Sequence, residues 1–103
     1  MNKLILSMPL VFLFSFTVHA EPIKRSLENM NGCYACHSVK LKVIGPSFIE
    51  ISNRYKNQES ARMQLVKKIK EGGSGNWGSV PMNAHPKISD TDLSLMVDWI
   101  LSL

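Results

Sequence analysis

An all-α fold of about four short helices is what this sequence predicts, on three observations. Four segments carry apolar residues at helical spacing, one of them stands behind a capping sequence, and no segment alternates apolar and polar residues between hairpin turns. With 103 residues the chain is long enough for one domain and no more.

The first helix is expected from about Pro22, a favourable first-turn residue, to Asn31, with Ile23, Leu27 and Met30 at i, i+4 and i+7 and Gly32 ending it. A second follows Pro46, places Phe48, Ile51 and Tyr55 on one face and leaves near Asn57. The third starts near Ser60 and carries Ala61, Leu65, Val66 and Ile69. Its last turn holds Lys67, Lys68 and Lys70, which suit the helix dipole, before Gly72-Gly73. In the fourth, Ser89-Asp90-Thr91-Asp92 has the form of a capping box ahead of Leu93, Met96, Val97, Ile100 and Leu101. Leu95 and Trp99 widen that apolar arc, so this helix should bury most of its circumference. Residues 38–45 and 72–88 are left as loops. The second is long for so small a domain, and such loops are usually functional. There are no internal repeats.

Ahead of the helices, residues 1–20 hold 13 of the chain's 46 apolar residues and read as a secretory signal. Lys3 precedes a run from Leu4 to Val18, and Val18-His19-Ala20 offers cleavage after Ala20. The run is 15 residues long and is broken by Ser7, Pro9 and Ser15. That is short of the roughly 20 apolar residues of a spanning helix. The expectation is a periplasmic domain, residues 21–103, with no stable membrane insertion after cleavage.

This domain has 83 residues, 33 of them apolar, and a net charge of +3. A domain so small buries a modest core and usually needs a staple. Cys33 and Cys36 are the only cysteines, and a disulfide three residues apart closes too small a loop to serve. The length excludes a multidomain enzyme. Composition excludes a disulfide-knotted toxin, a polytopic membrane protein and a disordered tail.

Cys33-Tyr34-Ala35-Cys36-His37 is C-x-x-C-H, the attachment signal for c-type haem. Two thiols on one turn can form thioethers with the two vinyl groups of a porphyrin, and His37 then presents its imidazole to the iron. Haem also supplies the missing core. A thioredoxin-like pair would need a βαβ context, which is missing here. Zinc would need four ligands, whereas only Cys33, Cys36, His37 and His85 follow the signal, two of them adjacent.

The second axial ligand comes from Met30, Met63, Met82, Met96 or His85. Methionines 30, 63 and 96 lie on expected helices, where core packing is the ordinary role. Met82 lies in the long loop, within Trp77-Gly78-Ser79-Val80-Pro81-Met82, and is the expected ligand. A thioether is soft and neutral, favours Fe(II) and raises the reduction potential relative to two imidazoles. His85 is three residues further on and reads as a solvated side chain. Gly45-Pro46 could offer a carbonyl to orient His37. Trp77, Arg54 and Lys68 are candidates for contact with a haem propionate.

Together these residues resemble the small bacterial class I cytochromes c of the cytochrome c-551 type. The resemblance runs through Asn31 to His37, Ile44-Gly45-Pro46, Lys68 to Gly72, Trp77-Gly78, Val80-Pro81-Met82 and Ser89-Asp90 leading to Val97 through Ser102. It implies a helical wrap around one haem c, with first and last helices crossing where Gly32 permits close approach. It further implies thioethers at Cys33 and Cys36, axial ligation by His37 and Met82, a Pro46 carbonyl on His37, and a propionate contact from Trp77. The chain departs from members that follow the ligand methionine with prolines, having Met82-Asn83-Ala84-His85-Pro86-Lys87-Ile88, one residue longer.

The function expected is a monomeric, non-enzymatic one-electron carrier between an electron donor and a terminal reductase, oxidase or peroxidase of a respiratory chain. No catalytic residues are assigned. Lys24, Arg25, Lys40, Lys42, Lys67, Lys68 and Lys70 could steer docking to acidic partners. Nucleic acid is not implied, because the basic residues are not interleaved with a stacking platform. Alternatives are a dedicated haem subunit of one redox complex, a ligand sensor or weak peroxidase in which Met82 dissociates, and a thiol oxidoreductase.

Overall fold

In the computed structural model, which describes residue 4, residues 8–15 and residues 20–103, helices α1 (Ala20–Cys33), α2 (Phe48–Tyr55), α3 (Ala61–Glu71) and α4 (Asp90–Leu101) form the body. A two-stranded antiparallel hairpin, β1 (Gly73–Gly75) and β2 (Gly78–Met82), stands between α3 and α4. Ile23 and Leu27, expected on the inner face of α1, lie outside the described side chains, as do Lys24 and Arg25.

α1 does not stop at Gly32. It runs through that glycine to Cys33, and backbone bonds from Tyr34 N to Met30 O (3.3 Å) and from His37 N to Cys33 O (2.9 Å) carry the turn onward. A glycine costs a helix only about 1 kcal/mol relative to alanine, which the turn holding both cysteines outweighs. Nor does Gly32 mark a close crossing: a Cβ there would meet nothing within 4 Å. α1 meets α4 instead through Ser26, whose hydroxyl donates to Asp92 Oδ1 (3.2 Å), both residues being buried.

Local signals set the other helix ends. Ser47 and Glu50 make a reciprocal capping box at α2, Glu50 N–H donating to Ser47 Oγ (3.1 Å) and Ser47 N–H to Glu50 Oε2 (2.8 Å). Gly72, at φ +66°, ends α3, and a Cβ there would lie 2.4 Å from Met82 O. Only glycine allows both the left-handed turn and that approach. At α4, Ser89 Oγ accepts from Asp92 N–H, but the Asp92 carboxylate reaches across to Ser26. The expected box thus caps from one side only.

The core comprises Met30, Phe48, Ile51, Tyr55, Ala61, Leu65, Ile69, Leu93, Met96, Val97 and Ile100. No residue of α4 from Asp92 onward is fully exposed, as its broad apolar arc predicts. Met63 is a correction: it is 71% exposed and belongs to no core. On that outer face Arg62 Nε and Nη2 donate to both carboxylate oxygens of Asp98 (2.8 and 2.6 Å), joining α3 to α4. The two side chains are 60% and 43% exposed. Arg62→Ala is therefore expected to lower stability by no more than about 1 kcal/mol. The midpoint of urea unfolding would show it, and a loss of several kcal/mol would contradict solvent screening of the pair.

The hairpin corrects the expectation of a loop without structure in residues 72–88. Gly73 pairs with Met82 and Gly75 with Gly78, with a register shift between them. Gly73, Gly75 and Gly78 have φ of +106°, +110° and +108°, a region that glycine enters at no steric cost. The strands are nearly all exposed, so no apolar alternation is needed.

Candidate haem site

The helices, the hairpin and the turn after α1 enclose a cavity of about 400 Å³. This lies within the size range of small-molecule sites, roughly 300–1,000 Å³. Met30, Phe48, Ile51, Leu65, Ile69, Met96 and Ile100 supply an apolar lining from all four helices. Cys33, Cys36, His37, Pro46, Trp77 and Met82 all line it as well. Tertiary folding thus brings these six residues to one place, together with Lys68 and His85, whereas Arg54 and Met63 are not on the lining.

Cys33 is half-buried and Cys36 exposed on the turn closing α1. Burial is the main cause that pushes the Cys33 thiol above its usual range, the nearby Cys36 adding to it and a backbone hydrogen bond opposing. A redox-active thiol pair needs the opposite shift, a depressed one that makes thiolate available.

His37 is held on three sides. Its Nδ1 lies 2.7 Å from Pro46 O, and because a carbonyl only accepts, Nδ1 donates in this bond, which in a neutral ring leaves the lone pair on Nε2. The ring stacks on Phe48, with centroids 5.3 Å apart and planes at 21°. Gly45 faces the ring: a Cβ there would lie 2.6 Å from His37 Cε1 and 2.9 Å from Nδ1. Gly45 N–H also donates to Cys36 O (2.8 Å), closing the loop on the cysteine turn. These steric and stacking roles of Gly45 and Phe48 were missed in the sequence. Phe48 shows there only as a core residue, because its partner lies across a turn.

Trp77, 41% exposed, forms the tip of the hairpin with Asn76. Arg54 of α2 reaches it, its guanidinium 4.5 Å from the ring centroid and its Nη1 donating to Asn76 O (2.6 Å). Lys68 Nζ donates to Gly72 O (3.4 Å) and lines the cavity. Of these two basic candidates, Arg54 is thus engaged in fastening the hairpin to α2. Met82, half-buried, packs against the core at the end of β2, and His85 lies on the same lining.

A covalently tethered porphyrin fits this site. The cavity is largely apolar, no buried side-chain nitrogen or oxygen among the described residues lacks a hydrogen-bond partner, and the paired thiols stand at its edge beside an imidazole with one nitrogen free.

Comparison with known proteins agrees. Residues 22–103 match the family profile described as Cytochrome c. Cytochrome c-552 of Nitrosomonas europaea is 43% identical over 77 residues, covering 75% of this chain and 75% of that protein. Cytochrome c-551 of Azotobacter vinelandii is 40% identical over 76 residues, which cover 74% of this chain and 92% of that protein. The crystal structure of wild-type N. europaea cytochrome c552 superposes with a TM-score of 0.69 at 42% identity, covering 77% of this chain and 98% of that one.

Proposed function

The chain belongs to the cytochrome c family, and from that footing we propose that it is a periplasmic carrier passing single electrons between the proteins of a respiratory chain. Its cofactor is haem c, carried on the Cys33 and Cys36 pair, and the broad role of a monohaem electron carrier follows from its relatives. Haem c supplies a one-electron iron couple. The chain's own residues set how that couple behaves.

In this reading His37 is one axial ligand, through Nε2. Pro46 O fixes its tautomer and Gly45 with Phe48 fixes its plane. Met82 is the other, from the end of β2. The observation that carries the reading is that one cavity receives both the oriented imidazole and this thioether. With two protein ligands, redox change needs little rearrangement and offers no open position for a substrate, as befits a carrier. Trp77 and Lys68, both on the lining, are the residues this reading assigns to a propionate.

Export and cleavage after Ala20 belong to the same proposal. The family match begins at residue 22, and Phe12, Leu13 and Phe14 are 79%, 87% and 85% exposed, outside any regular element. No helix among the described residues is long and apolar enough to cross a membrane. Lys40 and Lys42 stand exposed on the 38–45 loop beside Leu41, Val43 and Ile44, a surface suited to an acidic redox partner. A monomer docking transiently through it accounts for the carrier role.

Purified periplasmic protein should show c-type absorption in both redox states. Its electron exchange with an acidic redox protein, followed by stopped flow, should slow as ionic strength rises. Colourless protein with two titratable thiols would overturn the carrier, and a rate indifferent to salt would overturn lysine-steered docking.

A further inference from the structure

We propose that His85 is a reserve ligand for the haem iron, held beside Met82 and able to take the sixth position when the thioether leaves it. This rests on the reading of His37 and Met82 as axial ligands and concerns what the chain does when one of them fails.

Three observations carry it. His85 lines the same cavity as His37 and Met82, and it is half-buried rather than turned to solvent. Its imidazole is engaged in no hydrogen bond among the described residues, so no protein partner competes for its nitrogens. Its backbone is anchored separately from the methionine side chain. His85 N–H donates to Ile69 O (2.9 Å) at the end of α3, and Ile88 N–H reaches His85 O (3.5 Å). Upstream, the chain from Met82 to Ala84 is pressed against Gly72, where an added Cβ would lie 2.4 Å from Met82 O and 2.7 Å from Ala84 N.

The physical consequence is that losing the thioether does not release the segment. Residues 82–85 stay fastened at Gly72 and at Ile69, and the imidazole stays on the cavity lining. A neutral imidazole is a good donor to iron in either oxidation state. Its arrival would keep the site six-coordinate and closed to small exogenous ligands, at a lower reduction potential. The carrier would thus fail into a poorer carrier and not into a ligand-binding or peroxidatic protein.

The test compares wild-type, Met82→Ala, Met82→Ala/His85→Ala and His85→Ala holoproteins at neutral pH, by optical and electron paramagnetic resonance spectra and by CO titration of the reduced forms. The expected result is a low-spin Met82→Ala protein with a two-imidazole signature and a high-spin double variant that binds CO. If the open form of Met82→Ala is about a tenth of the population, its CO affinity is about tenfold weaker than the double variant's. His85→Ala alone should keep the methionine-to-iron band of the wild type, which shows that the substitution leaves the fold and the Met82 side intact. A Met82→Ala protein as high-spin and CO-avid as the double variant would overturn the reserve role alone, as would a double variant that stays low-spin. Survival of the methionine band in Met82→Ala would instead overturn the axial assignment on which it rests.

Discussion

Met82→Ala holoprotein is expected to lose the near-infrared methionine-to-ferric-iron absorption and to fall in reduction potential by on the order of 100 mV, within the roughly 0.8 V that axial ligands command. Met63→Ala is the matched control and should change neither. Both methionines lie within residues 22–103, which match the family profile, but Met82 lies half-buried on the cavity lining whereas Met63 is 71% exposed on the outer face of α3. The direction of the shift follows from chemistry: a soft neutral thioether favours Fe(II), and its removal disfavours the reduced state whether imidazole or solvent replaces it. Spectroelectrochemistry reads both quantities in one titration. An unchanged band in the Met82 variant would sink the assignment.

Gly45→Ala should destabilise the protein by about 1–3 kcal/mol through overpacking. For a domain of this size that is a fall in melting temperature of roughly 5–20 °C. The new methyl would enter at 2.6 Å from His37 Cε1, and the ring cannot swing aside cheaply. Moving it breaks the 2.7 Å bond to Pro46 O and the stack on Phe48. Because the displaced group is the proposed iron ligand, the loss in stability should come with a changed absorption spectrum. Gly32→Ala is the informative contrast, since its methyl meets nothing within 4 Å and alanine is the better helix former. Equal melting temperatures for Gly45→Ala and wild type, measured on holoprotein, would contradict the steric account of Gly45.

Much of the site was legible in the sequence because its chemistry is encoded at short range. Cys33, Cys36 and His37 declare themselves by spacing alone, and Pro46 is close enough to His37 for its carbonyl to be a plain candidate. Met82 was separable from the helical methionines by its position in a segment without helical periodicity. The clamp of Arg54 on Trp77 and Asn76 was not legible, since its partners are 22 or more residues away. The hairpin escaped because it is nearly all exposed and rich in glycine, leaving no apolar alternation to detect. The Ser47 and Glu50 capping box is written in the sequence as Ser-x-x-Glu ahead of Ile51, directly after Pro46.

Helix content, helix boundaries to within a few residues, and the covalent haem motif depend on neighbours in the chain, so the sequence alone carries them. What Gly32 and Gly45 do depends on atoms brought from elsewhere. Both stand as glycines beside the motif in the sequence, and the family resemblance implies that the first permits a close crossing of the first and last helices. In the structure the tight approach is at residue 45, where the His37 ring folds back, while the methyl position at residue 32 faces open space. His85 is the same case. Three residues past Met82 it reads as a solvated histidine, but a backbone bond to Ile69, sixteen residues earlier, helps to hold it on the cavity wall. Side-chain chemistry is local, but the distances that decide its use are set by packing between elements that meet only once the chain has folded.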